Sequence, residues 1–547
     1  MAAAKGSRAA NGAQATNAAY DYLIIGAGTA GCVLANRLSA DNTVRVGLIE
    51  AGPSDKRLLA RIPTAVAVET GDPAIDWGYK SVPQRHLNNR RIPLPRGRVL
   101  GGCSSIKGMA YFRGHPRDFD EWAEAGAAGW GYEDVLPYFR KAEHNERWPE
   151  SHYHGSGGPM SVSDIPRPNP LVHRFLQASS SLGFARCADF NGPDPEGFGY
   201  RQATIRRGRR ESMVTAYVDP VAHRQNLEIL TESLVTGIVI DGRKARGVVI
   251  ERGGSRMQLS AAREVILCAG TYGSPQLLLL SGVGAGAALH AVGIEVKHDL
   301  PGVGESLQDH PSTVVQVKTK DSTSCGVSLK ALSRSAWHLL QYALFRCGPL
   351  AGNVLEATGF VRSRPREKRP DLQIVFMPML SNPTSSPTAR GSGFGIIPIV
   401  VRPQSRGRVT LASADPHDAP LVDPNYLDDP DDMKLMLEGV TLARRILSAP
   451  AFSSMHAVEI LPGPGARDEA TCTDYIRTSA VGVHHPTSTC RMGLDSFAVV
   501  DPTLRVRGIE NLRVADASVF PRVVAGNTNA AVVMVAEKAA DMIAAAA

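Results

Sequence analysis

The sequence contains no apolar run of 18 residues or more, so it predicts no membrane-spanning helix. Aromatic residues make up only 6% of the chain, and the net charge is +7 over 547 residues. A nucleic-acid-binding surface needs a broad basic face with interleaved aromatic side chains. The compact basic run RRGRR, at 206–210, is too short to supply one. We therefore expect no nucleic-acid partner, and we interpret the run as a solvated turn or a site for an anionic group.

Cysteine pairs are also missing. The eight cysteines form no C-x-x-C pair and show no spacing with histidine that is typical of a metal site. Scattered single cysteines are typical of buried thiols in a reducing compartment. We therefore expect no bound metal and a cytoplasmic location, with peripheral association with a membrane left open.

The length and composition predict a globular protein with more than one domain. A chain of 547 residues is too long for one ordinary hydrophobic core. Its 43% apolar and 21% charged residues are typical of globular proteins. Residues 1–19 are small and polar without an apolar segment, which favours a disordered leader over a signal peptide.

The first specific signal is a glycine-rich turn between a strand and a helix. In YDYLIIGAGTAG, which starts at Tyr20, an apolar run leads directly into Gly26, Gly28 and Gly31. The next apolar run ends on Glu50, 19 residues after Gly31. In this context the glycines allow a tight turn, close approach to a pyrophosphate and close helix packing, and the glutamate binds ribose hydroxyls. The motif predicts a dinucleotide site but does not separate FAD from NAD.

Later segments extend the same Rossmann-like domain. NLEILTESLVTGIVIDGRKARGVVI reads as strands interrupted at Asp241, and REVILCAG reads as a buried strand followed by a helix that starts near Ser274. We therefore predict a discontinuous nucleotide-binding domain and a second domain that covers the cofactor. The predicted bounds are 20–154, 226–309 and 461–547 for the first domain, and 155–225 and 310–460 for the second.

Several motifs together resemble one family, the glucose–methanol–choline (GMC) flavin oxidoreductases. They are GAGTAGCVLANRLS with LIEAG, PRGRVLGGCSSIKGMAYFRG, CAGTYGSPQLLLLSGVG, LPGVGESLQDH, SRGRVTLASADP, HPTSTCRMG and AGNTNAAVVMVAEKAAD. They follow the family's order from residue 20 to residue 545. The choline dehydrogenase-like and aliphatic alcohol dehydrogenase members are the most similar branch.

The resemblance implies an α/β FAD-binding domain, together with an α+β substrate domain built on an antiparallel sheet backed by helices. It also implies oxidation of an alcohol, for which we expect a primary alcohol, with oxygen or a quinone as electron acceptor. Some members bind FAD covalently through a histidine at the position of Ile106, so we expect non-covalent FAD here. Further cofactor-binding residues implied by position are Gly101, Gly102, Cys103, Ser104, Lys107, Val235, Asp516 and Ala517.

The resemblance also implies the catalytic pair. In VGVHHPTSTCRMG, His485 matches the family's catalytic histidine, and Asn527 matches its partner. Histidine exchanges a proton near neutral pH, and an amide can orient the substrate oxygen. We expect a structural role for His484.

Two further positions bear on the substrate. Glu356 is a candidate for binding a cationic head group, although a salt bridge or strand end is an equal alternative. Lys107 stands where the family usually has asparagine, and Ser488 stands where it usually has glycine. Either departure could narrow the substrate range, alter the electron acceptor or weaken alcohol oxidation.

Other functions of the same fold remain alternatives. The family also includes hydroxynitrile lyases and light-driven fatty-acid decarboxylases, and a flavin-binding protein with little catalysis is a third hypothesis. The His-Pro and Gly-Asn-Thr-Asn segments argue against the decarboxylase type.

Overall fold

Two large sheets organise the protein, whose structure is a computed structural model. The structure describes residues 14–56, 61–65, 71–149, 151–321, 329–380 and 391–546.

The strands are numbered in chain order. They are β1 (Gln14–Ile25), β2 (Val46–Ile49), β3 (Tyr79–Lys80), β4 (Pro93–Leu94), β5 (Glu143–Asn145), β6 (Met160–Asp164), β7 (Gly197–Tyr200), β8 (Gln202–Ala203), β9 (Ile205–Arg206), β10 (Arg209–Arg210), β11 (Leu227–Leu230), β12 (Ser233–Asp241), β13 (Lys244–Arg252), β14 (Ser255–Leu267), β15 (Val283–Gly284), β16 (His298–Asp299), β17 (Pro311–Ser312), β18 (Val315–Lys318), β19 (Ala357–Val361), β20 (Leu372–Met377), β21 (Gly393–Val400), β22 (Arg408–Thr410), β23 (Leu421–Asp423), β24 (Val458–Leu461), β25 (Val481–Gly482) and β26 (Leu512–Val514).

The α-helices are numbered in the same way. They are α1 (Thr29–Leu38), α2 (Cys103–Ile106), α3 (Pro116–Glu124), α4 (Tyr132–Ala142), α5 (Pro170–Ser181), α6 (Gly270–Leu280), α7 (Gly286–Ala291), α8 (Leu329–Phe345), α9 (Pro430–Leu447), α10 (Glu469–Ser479) and α11 (Asn529–Ala545).

The first sheet is mixed and has the order β11–β2–β1–β14–β13–β12, with β26 added beside β14. Strands β11, β2, β1, β14 and β26 are parallel, whereas β12 and β13 form an antiparallel extension. All four residues of β2 are buried, as expected for a parallel strand covered on both faces. Helix α1 packs on this sheet and against α11. This is the predicted Rossmann-like sheet.

The second sheet is antiparallel and has the order β24–β18–β21–β20–β19–β7, with β17 and β25 at one side. Strand β20 shows how its two faces differ. Leu372, Ile374 and Phe376 pack in an apolar core with residues of α5 and α9. Their neighbours Gln373, Val375 and Met377 line a large cavity on the other face. The predicted antiparallel sheet backed by helices is therefore confirmed.

The chain passes repeatedly between the two sheets. Strand β25, which lies inside the predicted segment 461–547 of the nucleotide-binding domain, pairs with β17 of the second sheet. Strand β1 begins at Gln14, inside the predicted leader 1–19, and pairs with β14. Residues 1–13 lie outside the described residues. The domain boundaries remain a prediction.

The helix predicted to start near Ser274 begins four residues earlier, at Gly270. Pro275 therefore lies inside α6, where it cannot donate to the carbonyl of Thr271. The Thr489 hydroxyl donates to that carbonyl instead, at 2.6 Å. This distant hydrogen bond satisfies the carbonyl that the proline leaves without its helical partner.

No helix among the described residues is both long enough and apolar enough to cross a membrane. Nor does that part of the chain bring together three His, Cys, Asp or Glu side chains that could hold a metal ion.

Candidate active site

A cavity of about 940 Å³ is lined by residues of both sheets. It is bordered by most of the predicted cofactor-binding residues, which are Gly26, Gly28, Glu50, Gly102, Cys103, Lys107, Val235, Asp516 and Ala517. Gly31, Gly101 and Ser104 lie behind its wall. The predicted catalytic residues His485 and Asn527 border the same cavity.

The glycine-rich turn leaves the N-terminus of α1 open to the cavity. Gly26 has a φ of 94°, which favours glycine. A Cβ atom on Gly31 would lie 2.0 Å from the Gly26 carbonyl oxygen, so only glycine allows this packing. A Cβ on Gly28 would meet no protein atom closer than 3.9 Å. No side chain caps α1, so its first amide groups can bind an anion such as a pyrophosphate.

Glu50 follows the end of β2, beside this turn. Its carboxylate accepts hydrogen bonds from the Ala27 and Gly52 amides at 3.0 and 2.8 Å. Burial raises the pKa of Glu50 to about 7. The remaining lone pairs of the carboxylate can accept hydrogen bonds from ribose hydroxyls.

A second glycine turn, at Gly101 and Gly102, packs against the first. The Gly101 amide donates to the Ala27 carbonyl at 2.8 Å, and a Cβ on Gly102 would lie 2.8 Å from the Gly28 Cα. Ser104 donates to the Gly101 carbonyl at 2.6 Å and accepts from the Met213 amide at 3.0 Å. Gly101 and Ser104 therefore hold the cavity wall rather than form it.

Asp516 organises the wall near the start of α6. Its carboxylate accepts hydrogen bonds from the Gly270 amide at 2.8 Å and from the Ser274 hydroxyl at 2.5 Å. It also accepts from the Ser518 amide at 2.8 Å and the Ser518 hydroxyl at 2.6 Å. Burial raises its pKa, and these hydrogen bonds oppose that shift. Protein groups therefore engage both oxygens of the Asp516 carboxylate. A cofactor would contact the backbone next to Asp516 rather than its side chain.

These residues fit a dinucleotide. The open N-terminus of α1 suits a pyrophosphate, and Glu50 suits a ribose. The side-chain nitrogen of Asn529, at the start of α11, is buried in the cavity wall without a hydrogen-bond partner. A buried donor of this kind is expected to meet a ligand acceptor.

The predicted catalytic pair is in direct contact. Asn527 Nδ2 lies 2.8 Å from His485 Nε2, and His485 Nδ1 lies 3.0 Å from His310 Nδ1. An amide nitrogen only donates, so Nε2 of His485 accepts and its proton is on Nδ1. Burial lowers the pKa of His485 well below its usual value, and nearby positive or ionisable groups, including His310, lower it further. His485 is therefore a neutral imidazole.

Asp309 fixes the backbone that carries His485. Its Oδ1 accepts from the His485 and His310 amides at 2.7 and 2.9 Å, and its Oδ2 accepts from the Tyr426 hydroxyl at 2.6 Å. Sequence reasoning did not assign a role to Asp309, His310 or Tyr426. The motif LQDH contains the first two, but its contact with residue 485 depends on the tertiary structure.

His484 occupies a different position from its neighbour. It has a φ of 65°, its carbonyl accepts from Arg96 at 3.0 Å, and the residue also borders the cavity. Enclosure by the cavity walls lowers its pKa, and the charge of Arg96 adds to this shift, although the residue remains exposed to the open cavity. It makes no contact with Asn527 like that of His485.

Lys107 places an ammonium group in the cavity wall. Its Nζ is buried and has no hydrogen-bond partner in the described chain. Burial lowers its pKa to about 7, and the charge of Arg210 adds to this shift. The charge of Lys107 also makes a small contribution to lowering the pKa of His485, and both residues border the same cavity.

Glu356 does not line the cavity. Its carboxylate accepts a hydrogen bond from the Asn169 amide at 2.6 Å, and it is stabilised by the charge of Arg201. Burial raises its pKa to about 7. The cavity walls therefore give no support to the predicted contact with a cationic substrate.

Other polar residues of the wall were missed by sequence reasoning. The Nε2 of Gln373, the Oδ1 of Asn353 and the Nε of Arg201 are buried without hydrogen-bond partners, and these residues border the cavity. They lie on or beside strands of the second sheet, with no local motif to mark them.

Ser488 takes a left-handed conformation with a φ of 80°. This conformation favours glycine, which explains why a glycine is expected there and why serine is strained.

Comparison with known families identifies this architecture. A model described as GMC oxidoreductase matches residues 20–312, and a second model with the same description matches residues 403–536. The chain belongs to the GMC oxidoreductase family. It is therefore an FAD-dependent oxidoreductase that acts on CH–OH donors.

Individual GMC proteins resemble it over nearly the whole length. An alcohol dehydrogenase [acceptor] of Pseudomonas putida is 44% identical over 96% of this chain and 95% of its own. An oxygen-dependent choline dehydrogenase of Sinorhizobium medicae is 42% identical with the same coverage. Among solved structures, pyridoxine 4-oxidase of Mesorbium loti is 31% identical with a TM-score of 0.86, covering 95% of this chain and 98% of its own. A formate oxidase of Aspergillus oryzae is 28% identical with a TM-score of 0.89, covering 97% and 99%.

Proposed function

We propose that the enzyme oxidises a primary alcohol to the aldehyde, with His485 as general base and Asn527 orienting the substrate oxygen. The contact between Asn527 Nδ2 and His485 Nε2, at 2.8 Å in the cavity wall, is the observation that carries this proposal. An alcohol oxygen that binds to both atoms replaces their mutual hydrogen bond, donating to the histidine and accepting from the amide.

His485 is suited to take the hydroxyl proton. It is neutral because burial lowers its pKa, so Nε2 has a free lone pair. Its Nδ1 proton is directed to His310 at 3.0 Å, which fixes the tautomer. General base catalysis of this kind contributes roughly a hundredfold to ten-thousandfold to the rate.

Asn527 supplies a neutral hydrogen-bond donor to the oxygen as negative charge develops on it. Asp309 holds the His485 backbone amide at 2.7 Å, so the imidazole keeps its position during proton transfer. These roles depend on geometry that is already present in the wall.

Bound FAD supplies the hydride acceptor. The open glycine turn, Glu50 and the wall around Asp516 would hold it, and Ile106 offers no nucleophile for a covalent bond. We infer non-covalent binding.

The substrate is inferred from the walls and from the relatives. Val375, Met377, Ile397 and Ile399 form an apolar patch on the second-sheet side of the cavity, next to the polar side chain of Gln373. This surface suits an aliphatic alcohol, and the similarity to an alcohol dehydrogenase [acceptor] of Pseudomonas putida supports an alcohol as the substrate. The electron acceptor is oxygen or a quinone.

The two adjacent histidines provide a matched test of the assignment. His485→Ala should retain FAD and lower kcat/KM by about a hundredfold or more, because it removes the base. His484→Ala should have a much smaller effect, since it makes no contact with Asn527. Steady-state kinetics and the FAD content of both variants decide the assignment. A larger loss for His484→Ala would contradict it.

A further inference from the structure

The C-terminal half of α8 carries an exposed apolar face. Five of the eleven exposed large apolar side chains in the described chain lie between residues 337 and 345. Trp337, Leu340 and Leu344 share one side of the helix by their i, i+3, i+7 spacing and are 60%, 49% and 64% exposed. Phe345, at its border, is 71% exposed. Tyr342 is turned towards the protein, where its hydroxyl lies 3.5 Å from the Arg61 carbonyl.

An arginine-rich hairpin, β9–β10, lies at the end of this helix. A Cβ on Gly208 would be 2.1 Å from the Arg346 carbonyl oxygen, so the tip of the hairpin touches the residue that follows α8. The positive charges of Arg209 and Arg346 act on Tyr342, lowering a pKa that burial raises. The exposed arginine side chains of the hairpin are Arg206, Arg207 and Arg209.

The charge around the apolar face is positive. Between residues 337 and 355, which include the apolar face, the sequence contains Arg346 and no acidic residue. In the described chain, the exposed arginines of the hairpin and Arg346 form no ion pair with an Asp or Glu side chain. Apolar side chains that include tryptophan, bordered by arginines of this kind, are typical of helices that lie in the interface of an anionic membrane.

We propose that this helix face and the arginine hairpin form a docking surface for an anionic lipid bilayer. The apolar side chains would enter the acyl boundary, and the arginines would contact the lipid headgroups. A protein partner or a second copy could also cover the apolar face, but the arginine border matches an anionic lipid surface.

Docking here would bring one wall of the cavity close to the bilayer. Thr64, which borders the cavity, has its hydroxyl 3.5 Å from the carbonyl of Leu350, five residues after the end of α8. A lipid-soluble alcohol would then be concentrated next to the enzyme. This inference does not depend on the proposed chemistry.

Vesicle binding tests the surface without measuring activity. The full-length holoenzyme should co-sediment with vesicles that contain phosphatidylglycerol and much less with phosphatidylcholine vesicles, and added salt should weaken binding. Leu340→Ser/Leu344→Ser and Arg207→Gln/Arg209→Gln should each weaken binding by at least about tenfold. Val458→Ser/Leu494→Ser removes two apolar side chains elsewhere that are more exposed than Leu340 and Leu344, and should leave binding unchanged. Unchanged FAD content in every variant verifies that the fold is intact.

Two results would overturn the proposal. One is equal binding to the two kinds of vesicle, or equal loss in the control variant. The other is absence of vesicle binding together with a dimer that the Leu340→Ser/Leu344→Ser variant dissociates, because this would assign the face to a second copy of the chain.

Discussion

Lys107 is the residue at which this chain differs most from the pattern expected of its family. An ammonium without a hydrogen-bond partner is costly to bury, and this cost lowers its pKa to about 7. It borders the same cavity as His485, the proposed general base, and its charge acts on that histidine. A positive charge at this place stabilises the oxidation state of the cofactor that carries more negative charge.

Replacing this lysine should therefore change the redox potential. Lys107→Asn should lower the midpoint potential of bound FAD by about 20 mV, which corresponds to about 1 kcal/mol for a two-electron couple. The ammonium is charged mainly below a pH of about 7, so the difference should be larger at acidic pH and shrink as pH rises. Potentiometric titration at several pH values measures it.

Lys80→Asn is the matched control, because it removes an exposed lysine outside the cavity wall. It should leave the midpoint unchanged. A midpoint that is the same or higher in Lys107→Asn would contradict the predicted stabilisation of the reduced flavin by this ammonium.

At the scale of secondary-structure elements, two glycines at the start of α1, Gly28 and Gly31, have different roles. Gly31 is required for packing, because its Cβ would overlap a backbone oxygen at 2.0 Å. A Cβ atom on Gly28, by contrast, would point into free space, with the nearest protein atom 3.9 Å away. Gly31 is therefore needed for folding, whereas Gly28 leaves room for the cofactor.

A pair of alanine variants tests this separation. Gly31→Ala should lower the thermal midpoint of the apoprotein by about 5 °C or more, because helix and strand must move apart. Gly28→Ala should leave the apoprotein midpoint nearly unchanged and weaken FAD binding by about tenfold or more. Thermal denaturation and FAD titration measure the two effects. Equal FAD affinity in Gly28→Ala and the wild type would refute the pyrophosphate role of the α1 terminus.

The sequence predicts best the elements whose constraints are local. The strand–turn–helix around Gly26 and the turn between β12 and β13 depend on residues close in sequence, so their patterns identify them. The predicted start of α6 was wrong because the carbonyl freed by Pro275 is satisfied by Thr489, which is more than 200 residues away. Glu356 was a candidate for contact with a cationic substrate, with a salt bridge or strand end as an equal alternative. The structure places it directly before β19, where it accepts a hydrogen bond from the backbone amide of Asn169, the N-cap residue of α5.

At the scale of the whole molecule, the site exists because the chain crosses between two sheets. Asp309 and His310, in the segment before β17, meet His485, in the segment after β25. Those strands are neighbours in the second sheet. The hydrogen bond between the His485 amide and Asp309 joins residues more than 170 positions apart, so no local sequence pattern predicts it.

The whole enzyme should release its cofactor intact. Acid precipitation should leave yellow FAD in the supernatant and a colourless pellet, because Ile106 cannot bond covalently to a flavin. Absorbance spectra of both fractions measure this. A yellow pellet would show covalent attachment through another residue of the wall, for which Cys103 and His484 are the first candidates to replace.

Anaerobic mixing with alcohols tests the central claim most directly. The purified holoenzyme is mixed, without oxygen, with a panel of aliphatic, benzylic and choline-type primary alcohols, and the flavin absorbance is followed. We predict that an aliphatic alcohol bleaches the flavin, forms one aldehyde per FAD, and reacts more slowly when the carbinol carbon carries deuterium. An enzyme whose flavin is bleached by dithionite but by none of these alcohols would contradict the account.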